Sequence, residues 1–311
     1  MSDQHDLQQL SGIVPPLVTP LLNRDRLDEA GAKRLLDHVI DGGVSGIFIL
    51  GTTGEAPSLG YALRREMISL ACKHVAGRVP VLVGVTDTAF TETVSLADHA
   101  EKEGADALVF STPYYFPAGQ TELKQYVLRL LPELTLPVLL YNMPSLTKVW
   151  FEIDTLEELA EQRQIAGLKD SSGDLDYFSK AAQLRDRVRP EWRLFVGPEH
   201  LLVEAVSLGA NGGVNGGANI YPQLFSRLYA AILERDEAEV RELQNQVLHL
   251  QQIYDVGKYA SRFIKATKSA LSLRNVCSDH MAEPFNHFLT PERAKVAEVL
   301  APLNEYWPLP S

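Results

Sequence analysis

Eight short apolar runs that alternate with longer amphipathic segments constrain the fold of this 311-residue chain more than any other feature. The runs are brief, rich in leucine and β-branched residues, and lack polar alternation, which is typical of parallel strands buried on both faces. They cover residues 13–18, 46–50, 81–85, 107–111, 138–141, 166–169, 194–197 and 213–215. Segments between them space their apolar residues as helices do, and these include residues 28–40, 91–102 and 123–131.

This alternation predicts an α/β fold, a closed (β/α)8 TIM barrel rather than a doubly wound sheet. No GxGxxG or P-loop motif follows an early strand, which removes the usual nucleotide-binding alternatives. We expect residues 1–229 to form the barrel and residues 230–311 to form a C-terminal helical extension packed on it. The helices predicted in the extension cover residues 237–250, 259–271 and 291–300.

Composition excludes several functions. The net charge of −11 would repel nucleic acid. Cys72 and Cys277 lack CxxC spacing, and no HxH or HExxH motif occurs, so we expect neither a disulfide framework nor a metal site. The polar first ten residues lack the apolar core of a secretion signal, and no run reaches the roughly 18 apolar residues of a membrane span. We therefore expect a cytoplasmic protein without nucleic-acid or membrane partners.

Lys169 and Tyr141 are the strongest candidates for chemistry. The active sites of such barrels lie at the carboxyl ends of the strands, and both residues end an apolar run. A partly desolvated lysine there has a lowered pKa and can attack a carbonyl as the free amine. Tyr141 could move protons for it. Two alternatives remain open: Lys169 could simply pair with Asp170, as its position alone favours, and Tyr141 could be a core aromatic residue.

Residues 51–55, the GTTGE loop, follow the second strand. Gly51 and Gly54 permit a tight backbone whose N–H groups can hold an anion, and Thr52 and Thr53 add hydroxyl donors. The guest could be a carboxylate or a phosphate, and a purely structural turn is the alternative. Glu55 is expected to hold the loop through backbone N–H groups. Residues 171–174 are expected to cap the following helix.

The motifs GTTGE, YNMP and GLKD stand in this order at successive strand ends, with TPYY between the first two. In this the chain resembles the dihydrodipicolinate synthase/N-acetylneuraminate lyase family of class I, Schiff-base aldolases, over essentially its whole length. The resemblance implies that Lys169 forms the Schiff base and that Tyr141 relays protons. It further implies that Thr52 and Thr53 hold the pyruvate carboxylate, with Thr53 also assigned to the relay.

The same resemblance implies roles for residues farther from the lysine. Tyr115, the second tyrosine of TPYY, matches a tyrosine that completes the relay across a dimer interface. Gly197 and Val214 match positions that line the pocket, and Gly51 and Gly54 supply backbone groups to the carboxylate. A homotetramer, built as a dimer of dimers, is implied. No external cofactor or metal is implied, because the substrate itself is bound covalently.

Two departures bear on the substrate. Leu146 stands where dihydrodipicolinate synthases carry an arginine for the aldehyde's carboxylate, and Gly216 stands where sialic-acid lyases carry a serine. The KDSSGD and GVNGGANI segments look closer to enzymes of 2-oxo-3-deoxy sugar acids and 4-hydroxy-2-oxoglutarate. We expect a lyase that splits such a 2-oxo acid into pyruvate and an aldehyde. The alternatives are a deoxy-sugar-acid dehydratase, a true dihydrodipicolinate synthase or sialic-acid lyase, a non-catalytic 2-oxo acid sensor and a phosphate-binding isomerase.

Overall fold

The computed structural model describes residues 7–308, and these residues contain ten strands. The strands are β1 (Gly12–Ile13), β2 (Leu21–Asn23), β3 (Arg26–Leu27), β4 (Ile47–Ile49), β5 (Val81–Gly84), β6 (Ala107–Ser111), β7 (Val138–Asn142), β8 (Ile165–Asp170), β9 (Arg193–Val196) and β10 (Gly212–Gly213). Eight of them form one parallel sheet in the order β1-β10-β9-β8-β7-β6-β5-β4, whereas β2 and β3 form a separate antiparallel hairpin. The order follows the chain around the sheet, as a barrel requires.

The sheet closes between β4 and the segment that follows β1. Pro16 bridges Phe48 in parallel, and the N–H of Leu17 donates to the Phe48 carbonyl at 2.8 Å. Pro15 and Pro16 have no N–H to donate, so β1 is only two residues long and the predicted strand over residues 13–18 is regular only at its start. The predicted (β/α)8 barrel is confirmed.

Helices cover the outside of the barrel. Those of the α type within residues 7–308 are α1 (Glu29–Asp41), α2 (Tyr61–Val75), α3 (Phe90–Glu103), α4 (Gln120–Leu130), α5 (Pro144–Thr147), α6 (Ile153–Leu159), α7 (Leu175–Val188), α8 (Leu202–Ser207), α9 (Pro222–Glu234), α10 (Glu237–Leu250), α11 (Arg262–Leu273) and α12 (Thr290–Tyr306). Asp28 begins α1 by accepting the Gly31 N–H at 2.9 Å, which satisfies a donor that the first turn leaves free. None of the helices in the described part of the chain combines the length and the apolar character needed to cross a bilayer.

Two apolar cores result from the two faces of the sheet. Along β7, Val138 and Leu140 belong to the large core between sheet and helices, whereas Leu139 and Tyr141 belong to a smaller core inside the barrel. This follows from the period of two in strand side chains. Tyr141 therefore stands at the carboxyl end of β7 on the inner face, toward the mouth of the barrel.

Helices α10, α11 and α12 lie in the part of the chain that was predicted to form a C-terminal extension, and they pack against elements of the barrel. The Tyr221 hydroxyl of the barrel, for example, donates to Asn304 Oδ1 of α12 at 2.9 Å. The predicted boundary at residues 229/230 lies inside α9, so we place the start of the extension at α10. The division into barrel and extension stays a prediction.

Candidate active site

Lys169 and Tyr141 face each other across two neighbouring strands. The β7–β8 pairing places them directly opposite, and Lys169 Nζ lies 3.8 Å from the centroid of the Tyr141 ring and 5.0 Å from that of Phe48. Only 4% of Lys169 is exposed. Burial lowers its pKa, and the nearby Tyr141 and Asp170 offset this only in part. The unprotonated amine is the form that attacks a carbonyl, and a lowered pKa increases the fraction of the lysine in that form.

The alternative in which Lys169 pairs with Asp170 is wrong. Asp170 accepts hydrogen bonds from Asn142 Nδ2 and Ser172 Oγ, each at 2.8 Å. Among residues 7–308, Lys169 has no ion-pair partner, and its amine lies against aromatic rings instead. The Asp170 carboxylate is thus hydrogen-bonded by Asn142 of β7 and by Ser172 just after β8, and it forms no ion pair with the Lys169 amine.

The Tyr141 hydroxyl is close to the Lys169 amine and to two other hydroxyl groups. Thr52 Oγ1 lies 3.3 Å from it, and Ser171 also hydrogen-bonds it. Burial alone would raise the pKa of Tyr141, but the Lys169 amine and these hydrogen bonds outweigh that effect and lower the pKa. A tyrosine whose proton is held between a lysine and two hydroxyls can exchange protons with a substrate bound there.

The GTTGE loop brings Thr52, not Thr53, to Tyr141. This contact adds Thr52 as a candidate for the relay, and the roles of Thr53 in the relay and in binding the carboxylate stay predictions. Gly51 and Gly54 are needed for close packing, because an added Cβ would meet the Phe48 ring at 2.6 Å and the Leu17 carbonyl oxygen at 3.0 Å, respectively. Thr19 Oγ1 also donates to the Gly54 carbonyl at 2.7 Å.

A cavity of about 260 Å³ opens beside these residues. Gly51, Thr52 and Tyr141 line one side of it, and Leu146 of α5 lines another. None of the lining residues, all of which lie in the described part of the chain, is charged. Thr86, Ser111 and Thr147 add hydroxyl groups to the wall, and none of the three stood out in the sequence.

The remaining expected site residues lie around this centre. Gly197 makes room for Ser171, since a Cβ there would meet the serine Oγ at 2.0 Å. Val214 is buried in the inner core with Tyr141. Tyr115, in contrast, is 87% exposed and has a φ of 87°, so the single chain leaves its ring at the surface. Its role in the relay stays a prediction that needs a second copy.

Ser171 is the functional candidate that sequence reasoning missed. Residues 171–174 were expected only to cap the next helix, and Asp174 does so by accepting the Asp176 and Tyr177 N–H groups at the start of α7. Ser171 instead reaches Tyr141. The available signal was its place two residues after Lys169, directly beyond the end of β8, because alternate residues along a strand direction share a face.

Comparisons with known proteins show the family and the fold. The profile of the Dihydrodipicolinate synthetase family matches residues 9–302. YjhH of Escherichia coli K12, named a probable 2-dehydro-3-deoxy-D-pentonate aldolase, is 34% identical over 268 residues, or 86% of this chain and 89% of that protein. Dihydrodipicolinate synthase from Bacteroides thetaiotaomicron matches with a TM-score of 0.91 at 48% identity, covering 94% of this chain and 99% of the other. YagE of Escherichia coli K12, solved in complex with pyruvate, matches with a TM-score of 0.90 at 30% identity, covering 95% and 99%.

The barrel, its buried strand-end lysine and these relatives define an enzyme of the class I aldolase or lyase type. The chain belongs to the dihydrodipicolinate synthetase family, which confirms the resemblance seen in its motifs. The relatives carry the names of sugar-acid aldolases as well as of synthases.

Proposed function

We propose that this enzyme reversibly splits a 2-oxo-3-deoxy sugar acid into pyruvate and an aldehyde through a Schiff base on Lys169. The observation that carries the proposal is the buried Lys169 amine, free of any ion pair among residues 7–308 and 3.8 Å from the Tyr141 ring. No external cofactor or metal takes part, since the covalent iminium supplies the electron sink.

The reaction begins when Lys169 Nζ attacks the carbonyl carbon of the 2-oxo acid. The carbinolamine loses water to give an iminium, and Tyr141 moves the protons that this step needs. Tyr141, which gave its proton to the leaving water, then takes the proton of the C4 hydroxyl as the C3–C4 bond breaks, and the bond electrons pass to the iminium to form an enamine. The aldehyde leaves, the enamine is protonated at C3, and water releases pyruvate and the free lysine.

The GTTGE loop binds the carboxylate in this proposal. Its backbone N–H groups, from Gly51 to Gly54, and the hydroxyls of Thr52 and Thr53 hold the anion next to the iminium. Thr52 also passes protons, because its hydroxyl lies 3.3 Å from that of Tyr141. Tyr115 of a second copy completes the relay in a homotetramer, which suits a side chain that is 87% exposed in the single chain.

The uncharged cavity favours a neutral, hydroxyl-bearing aldehyde. The Ser111 and Thr147 hydroxyls donate to backbone carbonyls, so they can accept hydrogen bonds from the hydroxyls of such a tail, as can Thr86. The second carboxylate of 4-hydroxy-2-oxoglutarate would instead meet no cation in the lining. Leu146 likewise cannot make the bidentate contact by which an arginine binds a carboxylate. The names of YjhH and YagE, aldolases of deoxypentonate and deoxygluconate type, support the same substrate class.

A second candidate is dihydrodipicolinate synthesis from pyruvate and aspartate semialdehyde. It is favoured by the 48% identity with the Bacteroides thetaiotaomicron protein of that name. Uncharged Leu146 at the cavity counts against it. The two candidates differ in the aldehyde, so a substrate assay separates them.

Borohydride reduction with pyruvate tests the mechanism, and peptide mapping locates the adduct. We expect one pyruvyl adduct, on Lys169, and none in Lys169→Met. An adduct on another lysine, or none, would refute the Schiff base. For the substrate class, we expect pyruvate release from 2-oxo-3-deoxypentonate or 2-oxo-3-deoxygluconate. Faster consumption of pyruvate with aspartate semialdehyde would instead establish the second candidate.

A further inference from the structure

The GTTGE loop is tied to the C-terminal extension by a buried ion pair. Glu55, the last residue of the loop, pairs with Lys268 of α11, and the side chains of both are completely buried. Two further hydrogen bonds complete the contact: the Ala282 N–H donates to Glu55 Oε2 at 2.9 Å, and Lys268 Nζ donates to the His280 carbonyl at 2.7 Å. Glu55 was expected to hold the loop through backbone N–H groups; the N–H it accepts is that of Ala282, far along the chain, and the Lys268 amine is a second partner.

The backbone conformation of the loop must be stabilised by contacts from outside the loop. Leu50 and Glu55, at its two ends, both have a φ of 56°, a left-handed conformation that is unfavourable for residues with a Cβ. Such conformations persist only where surrounding contacts fix them. For Glu55, the contacts that fix the side chain come from α11 and the segment after it.

Displacement of Glu55 would reach Thr52 directly. The Glu55 N–H donates to the Thr52 carbonyl at 3.0 Å, so the two residues form one hydrogen-bonded turn. Thr52 in turn places its hydroxyl 3.3 Å from Tyr141 and lines the cavity. Glu55 itself does not line the cavity, so its carboxylate acts on the substrate site only through the loop.

We propose that Lys268 is a positioning residue: through Glu55 it holds the GTTGE loop, and hence Thr52, in the conformation that binds the substrate carboxylate. The inference rests on the proposed function of the loop. It assigns the C-terminal extension a part in substrate binding, although no residue of the extension lines the cavity.

The test measures pyruvate binding at the lysine in the full-length chain. The double variant Glu55→Gln/Lys268→Met removes both buried charges, so neither is left unpaired, and the glutamine oxygen can still accept the Ala282 N–H. Adduct formation on Lys169 under borohydride is followed against pyruvate concentration. We expect the half-saturating concentration to rise about tenfold or more, as for the loss of a well-placed hydrogen bond to a charged group, with a smaller change in the rate at saturation.

Lys265→Met is the matched control. Lys265 is also a buried lysine of α11, but its Nζ donates to Asn286 Oδ1 at 2.6 Å within the extension and does not reach the loop. We expect its half-saturating pyruvate concentration to match that of the unmodified chain. Equal values for control and double variant would overturn the proposal, and so would a double variant that cannot fold, because the pair would then serve the fold as a whole. An unmodified chain that forms no adduct would instead refute the proposed function first.

Discussion

Two buried lysines serve opposite purposes in this molecule. Lys169, at the mouth of the barrel, lies against the Phe48 and Tyr141 rings and has no ion-pair partner among residues 7–308. Lys268, where α11 meets the GTTGE loop, has the Glu55 carboxylate and the His280 carbonyl as partners. The proposed roles, a nucleophile and a positioning residue, thus differ with whether a carboxylate lies within ion-pair distance of the buried amine.

This difference predicts that removing the two amines has opposite effects on stability. A buried amine without an ion-pair partner lowers stability, so its removal should not destabilise the fold. Removal of a paired amine leaves a buried carboxylate unpaired and should therefore destabilise it.

Replacement of Lys169 by methionine should lower the turnover rate about 10⁴-fold or more, because the variant lacks the amine that is proposed to form the Schiff base. The thermal midpoint should stay the same or rise, since the buried amine is gone. Pyruvate release and a melting curve check the two statements. Residual activity within a hundredfold of the unmodified enzyme would contradict the role of this lysine.

The pH dependence of the unmodified enzyme offers a second check on Lys169. Burial lowers the pKa of this lysine below its ordinary value of 10.5, so the free amine predominates at a lower pH than for an exposed lysine. The rate of adduct formation with pyruvate should therefore rise with pH and reach a plateau below pH 10.5. A rate that keeps rising past this value would argue against a desolvated amine.

Tyr141→Phe should lower kcat about 10²- to 10⁴-fold, the usual contribution of a positioned proton donor or acceptor. The phenyl ring still covers the Lys169 amine, so the adduct should form slowly but on the same residue. Tyr177→Phe is a suitable control, because Tyr177 is also buried and its hydroxyl donates to the Phe151 carbonyl at 2.6 Å, away from the cavity. Equal activities of the two variants would rule out a relay through Tyr141.

The single variant Lys268→Met should lower the free energy of unfolding by about 3–5 kcal/mol, since it leaves the Glu55 carboxylate buried and unpaired. Adding Glu55→Gln to it should restore much of this loss. Urea denaturation of the single and double variants measures both values. A single variant as stable as the unmodified chain would show that the pair is not the clamp described above.

Glu199 extends the comparison to a buried acid that has no cationic partner within the described range, residues 7–308. Its Oε2 accepts the Gly217 N–H at 2.6 Å, and Tyr254 of the extension is a further hydrogen-bond partner. Burial raises the pKa of Glu199 to about 7, so the folded protein retains a proton that the unfolded chain releases near its ordinary value of 4.5. The resulting stability is present below pH 4.5 and is lost as the pH rises through 7.

The unmodified chain should therefore lose up to about 3 kcal/mol of stability through Glu199 between pH 4.5 and pH 8. Glu199→Gln cannot titrate and should remove this part of the pH dependence, which urea denaturation at the two pH values would reveal. The same slope in both proteins would show that Glu199 does not titrate in this range.

Much of this architecture could be predicted because it depends on local pattern. The apolar runs at residues 138–141 and 166–169 already place Tyr141 and Lys169 at neighbouring strand ends, since consecutive strands of such a barrel are adjacent. Helix α1 begins where Asp28 provides a cap, as the pattern over residues 28–40 suggested. The length of the first strand was overestimated, because Pro15 and Pro16 limit its hydrogen-bonded pairing.

Contacts between distant segments could not be predicted in the same way. Nothing near Glu55 points to Lys268, which comes from the C-terminal extension and meets it only after the barrel has closed. The choice between Thr52 and Thr53 was equally inaccessible, because an irregular loop has no period that tells which side chain faces inward. Ser171 was assigned to a cap because serine commonly has that role at helix starts.

The alignment of Tyr141 with Lys169 also bears on how such an enzyme can change during evolution. Their spacing is set by the main-chain ladder between two strands, whereas Leu146 lies on a four-residue helix beyond the sheet. Under the proposed function, mutations in that helix would alter which aldehyde fits while Tyr141 and Lys169 keep their relative position. New substrates could then arise through changes at the rim of the barrel, with the proposed bond-breaking step unchanged.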